Sequence, residues 1–177
     1  MSKEFANKSL SFEDIFDQEV LDVSQNYNNE LSELLRINKL KIAVIESVSG
    51  GGIARRLVEV PGCSDYFLGG MVAYHSRLKV QYGLVKPKTI REHGVISSVV
   101  TEEMAAGVKK MTQADISIAS NGIAGPRDVA FPKIKEGTVF LSWNFHDKIK
   151  KTKRYIIEGT RNEVIEQTVF IALSMCL

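Results

Sequence analysis

The chain has 177 residues, 44% of them hydrophobic and 25% charged, which is enough for one compact domain and too few for two of ordinary size. With 8% aromatic residues and 13 glycines it is neither fibrous nor low in complexity, and its net charge of +2 argues against a dedicated nucleic-acid binder. That small sum hides an asymmetry, because residues 1–38 hold eight acidic and three basic side chains, net −5, while the remaining 139 carry +7.

Residues 1–19 mix Ser, Asn, Glu and Phe without a sustained period and read as a flexible acidic arm, leaving 20–177 as a single domain. From Val20 to Ile37 the residues Val20, Val23, Tyr27, Leu31, Leu34 and Leu35 recur every three or four positions. This is the stripe of an amphipathic helix, packed on the domain or across a subunit boundary. Lys39 to Glu46 is a short β-branched run that fits a buried strand. A Ser-Gly loop follows it, and Ile53, Leu57 and Val60 continue at helical spacing until Pro61-Gly62. Tyr66 to Tyr74 predicts a second strand, with Gly69-Gly70 marking a bulge or a close backbone approach.

Two short helices are expected at Leu78–Tyr82 and Pro87–His93, then a Ser97 N-cap opens a longer one carrying Val100, Met104, Val108 and Met111. Asp115 to Ser120 alternates as a strand and runs into Asn121-Gly122, a turn dipeptide. Gly137 to Phe145 puts Val139, Leu141, Trp143 and Phe145 on one face, with Ile149 to Glu158 as its antiparallel partner across His146-Asp147. Thr160 and Glu163 have capping-box spacing and open a last helix with Ile165, Val169, Ala172, Leu173 and Cys176 as its buried stripe. Strands interleaved with helices, ending in a hairpin and a helix, imply an α/β fold: a three-layer α/β/α sandwich around a mixed sheet.

Cys63 and Cys176 lie 113 positions apart without a CxxC, and the three histidines do not cluster. Neither a metal site nor a disulfide framework is indicated, and no cofactor is expected. The first residues lack the apolar core of a secretion signal, and no run approaches the roughly 18 apolar residues of a membrane span, so a cytoplasmic protein without membrane contact is expected.

Chemistry concentrates at Glu46-Ser47-Val48-Ser49-Gly50-Gly51-Gly52, between a buried strand and a helix. Backbone N–H groups at a helix start lack intrahelical acceptors, and glycines let a ligand approach, so the loop suits a phosphate or a developing oxyanion beside Ser47. The alternative is that Ser47 or Ser49 simply caps the helix. A serine nucleophile needs a base. His93 ends a helix and His146 sits in a hairpin turn, which leaves His75 or Lys79; a desolvated lysine loses its proton near neutral pH, whereas a surface lysine does not. Asn121-Gly122-Ile123-Ala124-Gly125-Pro126 is a second glycine loop at a strand end, where α/β sheets bind ligands. Arg161, a cation in the first turn of the last helix, opposes the helix dipole and reads either as an anion contact or as a surface ion pair.

In order, Glu46-Ser47-x-Ser49-Gly50-Gly51, Gly70 to Tyr74 followed by Lys79, Gly94 to Ser97, Gly122 to Pro126, Gly137-Thr138-Val139 and Gly159-Thr160-Arg161 resemble the CinA C-terminal domain family. The resemblance runs from about Leu31 to the C-terminus. It implies a standalone three-layer domain, often a homodimer, and a small-molecule nucleotide substrate. The family includes amidohydrolases that convert nicotinamide mononucleotide to nicotinate mononucleotide and ammonia. Carried over residue by residue, it implies Ser47 as nucleophile, Lys79 as base and Tyr74 as an orienting or relaying group. It further implies Glu46, Ser49, Gly50, Gly51, Asn121, Gly122 and Arg161 as substrate contacts, with N–H groups around Ser49 to Gly51 receiving the oxyanion.

Departures fall on the ligand side: Val48-Ser49 replaces Cys-Thr, Asn121 replaces Thr, Arg127-Asp128 replaces Gly-Gly, and Ile134-Lys135-Glu136 replaces Lys-Pro-Val. They keep open a non-catalytic homologue that binds a nucleotide or a protein partner. Nucleic-acid binding through Lys148, Lys150, Lys151, Lys153 and Arg154 is not expected, since these residues suit a hairpin and a protected edge strand.

Overall fold

The computed structural model describes residues 19–126 and 130–177. The chain runs α1 (Glu19–Ile37), β1 (Ile42–Glu46), α2 (Gly52–Val58), β2 (Phe67–Val72), α3 (Ser76–Gly83), α4 (Pro87–His93), α5 (Ser98–Thr112), β3 (Ile116–Gly122), β4 (Thr138–Phe145), β5 (Ile149–Ile156) and α6 (Arg161–Ser174). Every residue of β1 is buried, as its unbroken apolar run requires. It lies between β2 and β3, parallel to both, and β4 and β5 extend the sheet antiparallel in the order β2-β1-β3-β4-β5.

The two faces of β1 serve different cores. Ile42 and Val44 pack with Leu31 and Leu35 of α1, Ile53 of α2 and Val169 of α6, while Ala43 and Ile45 pack with Val100, Met104 and Val108 of α5. Helices α1, α2 and α6 thus form one outer layer, and α3, α4 and α5 the other. Each such branched side chain, fully buried, contributes about 1.5–3 kcal/mol of transfer free energy.

Most predicted elements are present, with instructive shifts. The register between β1 and β2 slips at Leu68, the bulge signalled by Gly69-Gly70. His146 and Asp147 take the positive φ of a tight hairpin turn, 49° and 57°. Lys39 also has positive φ, 54°, so the first strand begins at Ile42 rather than Lys39. The last helix buries Val164, Thr168, Val169, Ile171, Ala172 and Leu173, more than one stripe, because α1, α2 and the sheet all press on it.

Asn121-Gly122 is not a turn. Both residues finish β3, paired with Phe140 and Val139, and Gly122 is required there because a Cβ would collide with the Thr138 carbonyl. Of the expected acidic arm 1–19, residues 1–18 lie outside the described residues, as does the Arg127-Asp128 departure, while Glu19 opens α1.

Candidate functional site

At the end of β1 the chain turns sharply into α2, and the cap of α2 is neither Ser47 nor Ser49. It is the buried Glu46 carboxylate: Oε2 accepts from the Gly51 and Ile53 N–H groups, each at 3.0 Å, and from Ser49 Oγ at 2.6 Å, while Oε1 accepts from the Ala54 N–H at 2.8 Å. An anion at a helix N-terminus satisfies orphan donors and complements the dipole. Gly51 at φ 102° lets the loop close over the carboxylate.

The structure differs here from two expectations. The Glu46 carboxylate is taken up by the helix start and is not among the residues lining the cavity, and the Gly50 N–H donates to Ser47 O at 3.2 Å, so the Gly50 and Gly51 amides are bonded within the loop. Among the described residues, the Val48 and Ser49 N–H groups are the amides of this loop without an acceptor.

Behind Ser47 stands Ser120, on β3 opposite Glu46. Its carbonyl accepts the Ser47 N–H at 2.9 Å, and its hydroxyl lies 2.5 Å from Ser49 Oγ. Ser120 was missed from sequence; in Asp115–Ser120 it reads as one more small residue in an alternating strand.

In front of Ser47 a cavity of about 630 Å³ opens, lined by Ser47, Tyr74, Lys79, Asn121, Gly122 and Arg161 among others. Six of the expected site residues thus converge from five elements or their ends, while Glu46, Ser49, Gly50 and Gly51 support Ser47 from behind. The residues 134–136 that depart from the family pattern line a separate groove with Ile157 and Gly159.

Lys79 projects from α3 and is only 2% exposed. Its Nζ donates to Ala73 O at 2.8 Å, and burial lowers its pKa from 10.5 to about 8. Lys79 and Ser47 both line the cavity, and no hydrogen bond joins Lys79 Nζ to Ser47 Oγ. His75 also lines the cavity, but its Nδ1 accepts the Arg77 N–H at 3.2 Å and caps α3. His93 and His146 are absent from the lining. Asn121 is 1% exposed; its Nδ2 donates to Val95 O at 2.8 Å, and its Oδ1 has no partner among the described residues.

The rim is held by Arg161. Its Nη1 donates to Gly125 O at 2.6 Å and its Nη2 to Tyr74 OH at 3.4 Å, which ties the α6 start to the second glycine loop and to the end of β2. The N-terminus of α6 itself is closed by the capping box: the Thr160 N–H donates to Glu163 Oε2 at 2.6 Å and the Glu163 N–H to Thr160 Oγ1 at 3.4 Å. The α6 end is thus occupied by its own side chains, while the Arg161 guanidinium faces the rim. Among the described residues no group of three or more His, Cys, Asp or Glu side chains is arranged to hold a metal ion.

Residues 24–177 match the model of the CinA C-terminal domain. The chain belongs to the CinA C-terminal domain family. It is 41% identical over 140 residues to a CinA-like protein of Thermotoga neapolitana, covering 79% of this chain and 34% of that protein. It is 36% identical over 134 residues to a CinA-like protein of a Sulfurihydrogenibium species, covering 76% and 33%. The chain thus spans about a third of the length of these relatives.

Among solved structures, the competence damage-inducible protein A of Klebsiella pneumoniae superposes with a TM-score of 0.82 at 27% identity, covering 86% of this chain and 93% of that one. A CinA superfamily protein of Enterobacter cloacae gives 0.82 at 26% identity, covering 99% and 95%. The three-layer architecture is therefore that of the CinA superfamily.

Proposed function

We propose that this CinA-family domain is an amidohydrolase that deamidates nicotinamide mononucleotide, or a related pyridine nucleotide carboxamide, to the acid and ammonia. The observation that carries this reading is the convergence of Ser47 and a desolvated Lys79 on one nucleotide-sized cavity. Neutral Lys79 takes the Ser47 hydroxyl proton as Oγ attacks the carboxamide carbon. The free Val48 and Ser49 amides are the donors available to the oxyanion; of the expected Ser49 to Gly51 amides this keeps Ser49 and replaces Gly50 and Gly51 with Val48. Collapse of the tetrahedral adduct breaks the C–N bond, the proton on Lys79 goes to the departing nitrogen, and ammonia leaves. Water then hydrolyses the Ser47 ester, releasing the acid and restoring the hydroxyl. Arg161, with donors beyond the two it uses on Gly125 and Tyr74, is the cation positioned for the substrate phosphate.

The test is to incubate the protein with nicotinamide mononucleotide and to follow ammonia and nicotinate mononucleotide, with Ser47→Ala and Lys79→Ala as controls. Turnover abolished by both substitutions is expected, and turnover surviving both overturns the mechanism. A second reading, nucleotide binding without turnover, is favoured by the Lys79 ammonium bonding to Ala73 O rather than to Ser47. Thermal stabilisation by the nucleotide without ammonia release would select it.

A further inference from the structure

We infer that Asn121 reads the reacting group: its Oδ1 accepts the NH2 protons of a bound primary carboxamide, which makes it the residue that separates the amide substrate from the carboxylate product. This rests on the amidohydrolase reading and assigns within it a role that Ser47, Lys79 and Arg161 do not fill.

The orientation of the Asn121 amide is settled by chemistry. The Val95 carbonyl can only accept, so the Asn121 atom facing it at 2.8 Å is the NH2 group and the opposite atom is the carbonyl oxygen. That oxygen is buried and unpartnered among the described residues, on a side chain that is 1% exposed and lines the cavity. Buried acceptors are paired in nearly all native structures, so one left without a partner on a residue that lines the cavity marks a place where a donor is received.

Its placement is rigid as well. Successive residues of a strand point to opposite faces: Ser120 turns toward the Ser47 loop, where its hydroxyl accepts the Ser47 N–H at 3.4 Å and meets Ser49 Oγ, while Asn121 turns toward Val95. The acceptor and the backbone of the nucleophile's loop are therefore held by neighbouring residues of β3.

A carboxamide presents both functions this wall lacks, a donor NH2 for Oδ1 and an acceptor oxygen for the Val48 and Ser49 amides. The deamidated product has only acceptors. Bound in the same pose, it sets a carboxylate oxygen against Oδ1 with no proton between them, which disfavours the acid and promotes its release. A polar site left unpaired in this way discriminates strongly between otherwise identical ligands.

The experiment uses the full chain carrying Ser47→Ala, which prevents turnover, and measures dissociation constants for nicotinamide mononucleotide and nicotinate mononucleotide by calorimetry. With Asn121 intact the amide is expected to bind at least about tenfold more tightly than the acid, and adding Asn121→Ala is expected to bring the ratio below about threefold. Asn121→Asp keeps an acceptor and adds a charge, so it is expected to widen the preference; should the alanine variant fail to fold, this variant decides alone. A ratio unchanged in Asn121→Ala, or unchanged or narrowed in Asn121→Asp, overturns the role of Asn121 while leaving the amidohydrolase reading intact. Binding of neither nucleotide with Asn121 intact overturns that reading and this inference with it.

Discussion

Around Ser47 the polar side chains Glu46, Ser49, Ser120, Lys79 and Asn121 are all buried, and most of their hydrogen-bonding groups are consumed by the protein. Around Arg161 the side chains are exposed, Tyr74 by 63%, and two hydrogen bonds to different loops hold them. The floor is built before any ligand arrives and the rim is assembled from three chain segments. A preorganised floor suits transition-state chemistry, and an open charged rim suits recognition of a phosphate.

Substitutions in the floor should therefore change rate or stability, and those in the rim should change affinity. With Ser47 in place, the largest effect is expected from Lys79→Met, with kcat/KM for nicotinamide mononucleotide falling about 10²–10⁴-fold. The same variant should be more stable at pH 7. The folded pKa of about 8 lies below the ordinary 10.5, so the folded state binds fewer protons than the unfolded state between those values and stability rises with pH across that window. Below pH 8 the burial penalty is carried in full, and removing it should raise unfolding free energy by about 1–3 kcal/mol after loss of the bond to Ala73. Denaturant titrations at pH 7 and pH 10 check this, with the gain shrinking at the higher pH.

Glu46→Gln comes next. It replaces a carboxylate that receives four donors and should cost about 2–4 kcal/mol, seen as a melting temperature lower by about 5–12 °C. If it abolished turnover without moving the melting temperature, Glu46 would belong to the chemistry and the division between support and site would fail. Arg161→Ala should raise KM about tenfold with kcat changed less than about threefold in steady-state assays. Arg161→Lys should recover only part of this, since one ammonium cannot span Gly125 O and Tyr74 OH together. The smallest effect is expected from Tyr74→Phe, about twofold in KM, because the bond it removes is long and exposed.

Features that depend on near neighbours were legible in the sequence. The buried run of β1, the His146-Asp147 hairpin and the Thr160–Glu163 capping box each follow from residues within one element or turn. The family pattern located Ser47, Lys79 and Arg161, but it could not say which way the glycine loop faces. That depends on Gly50 and Gly51 at positive φ folding their amides back on Ser47 O and Glu46. The turn propensity of Asn121-Gly122 lost to pairing with β4, a contact across a gap of more than fifteen residues. Ser120 is invisible for the same reason, since its partners Ser47 and Ser49 are over seventy positions away. The burial of Lys79 likewise needs α3 packed on α5, which spacing along the chain does not encode.

The account stands most directly on one measurement: the pH dependence of kcat/KM for ammonia release from nicotinamide mononucleotide, between pH 6 and 9.5, for the unaltered protein and for Ser47→Ala. It predicts a rate that climbs with pH and levels off above an apparent pKa near 8, the value burial gives Lys79, and no release by Ser47→Ala. A Ser47→Ala protein that releases ammonia at the unaltered rate, or a profile flat through pH 8, would contradict it.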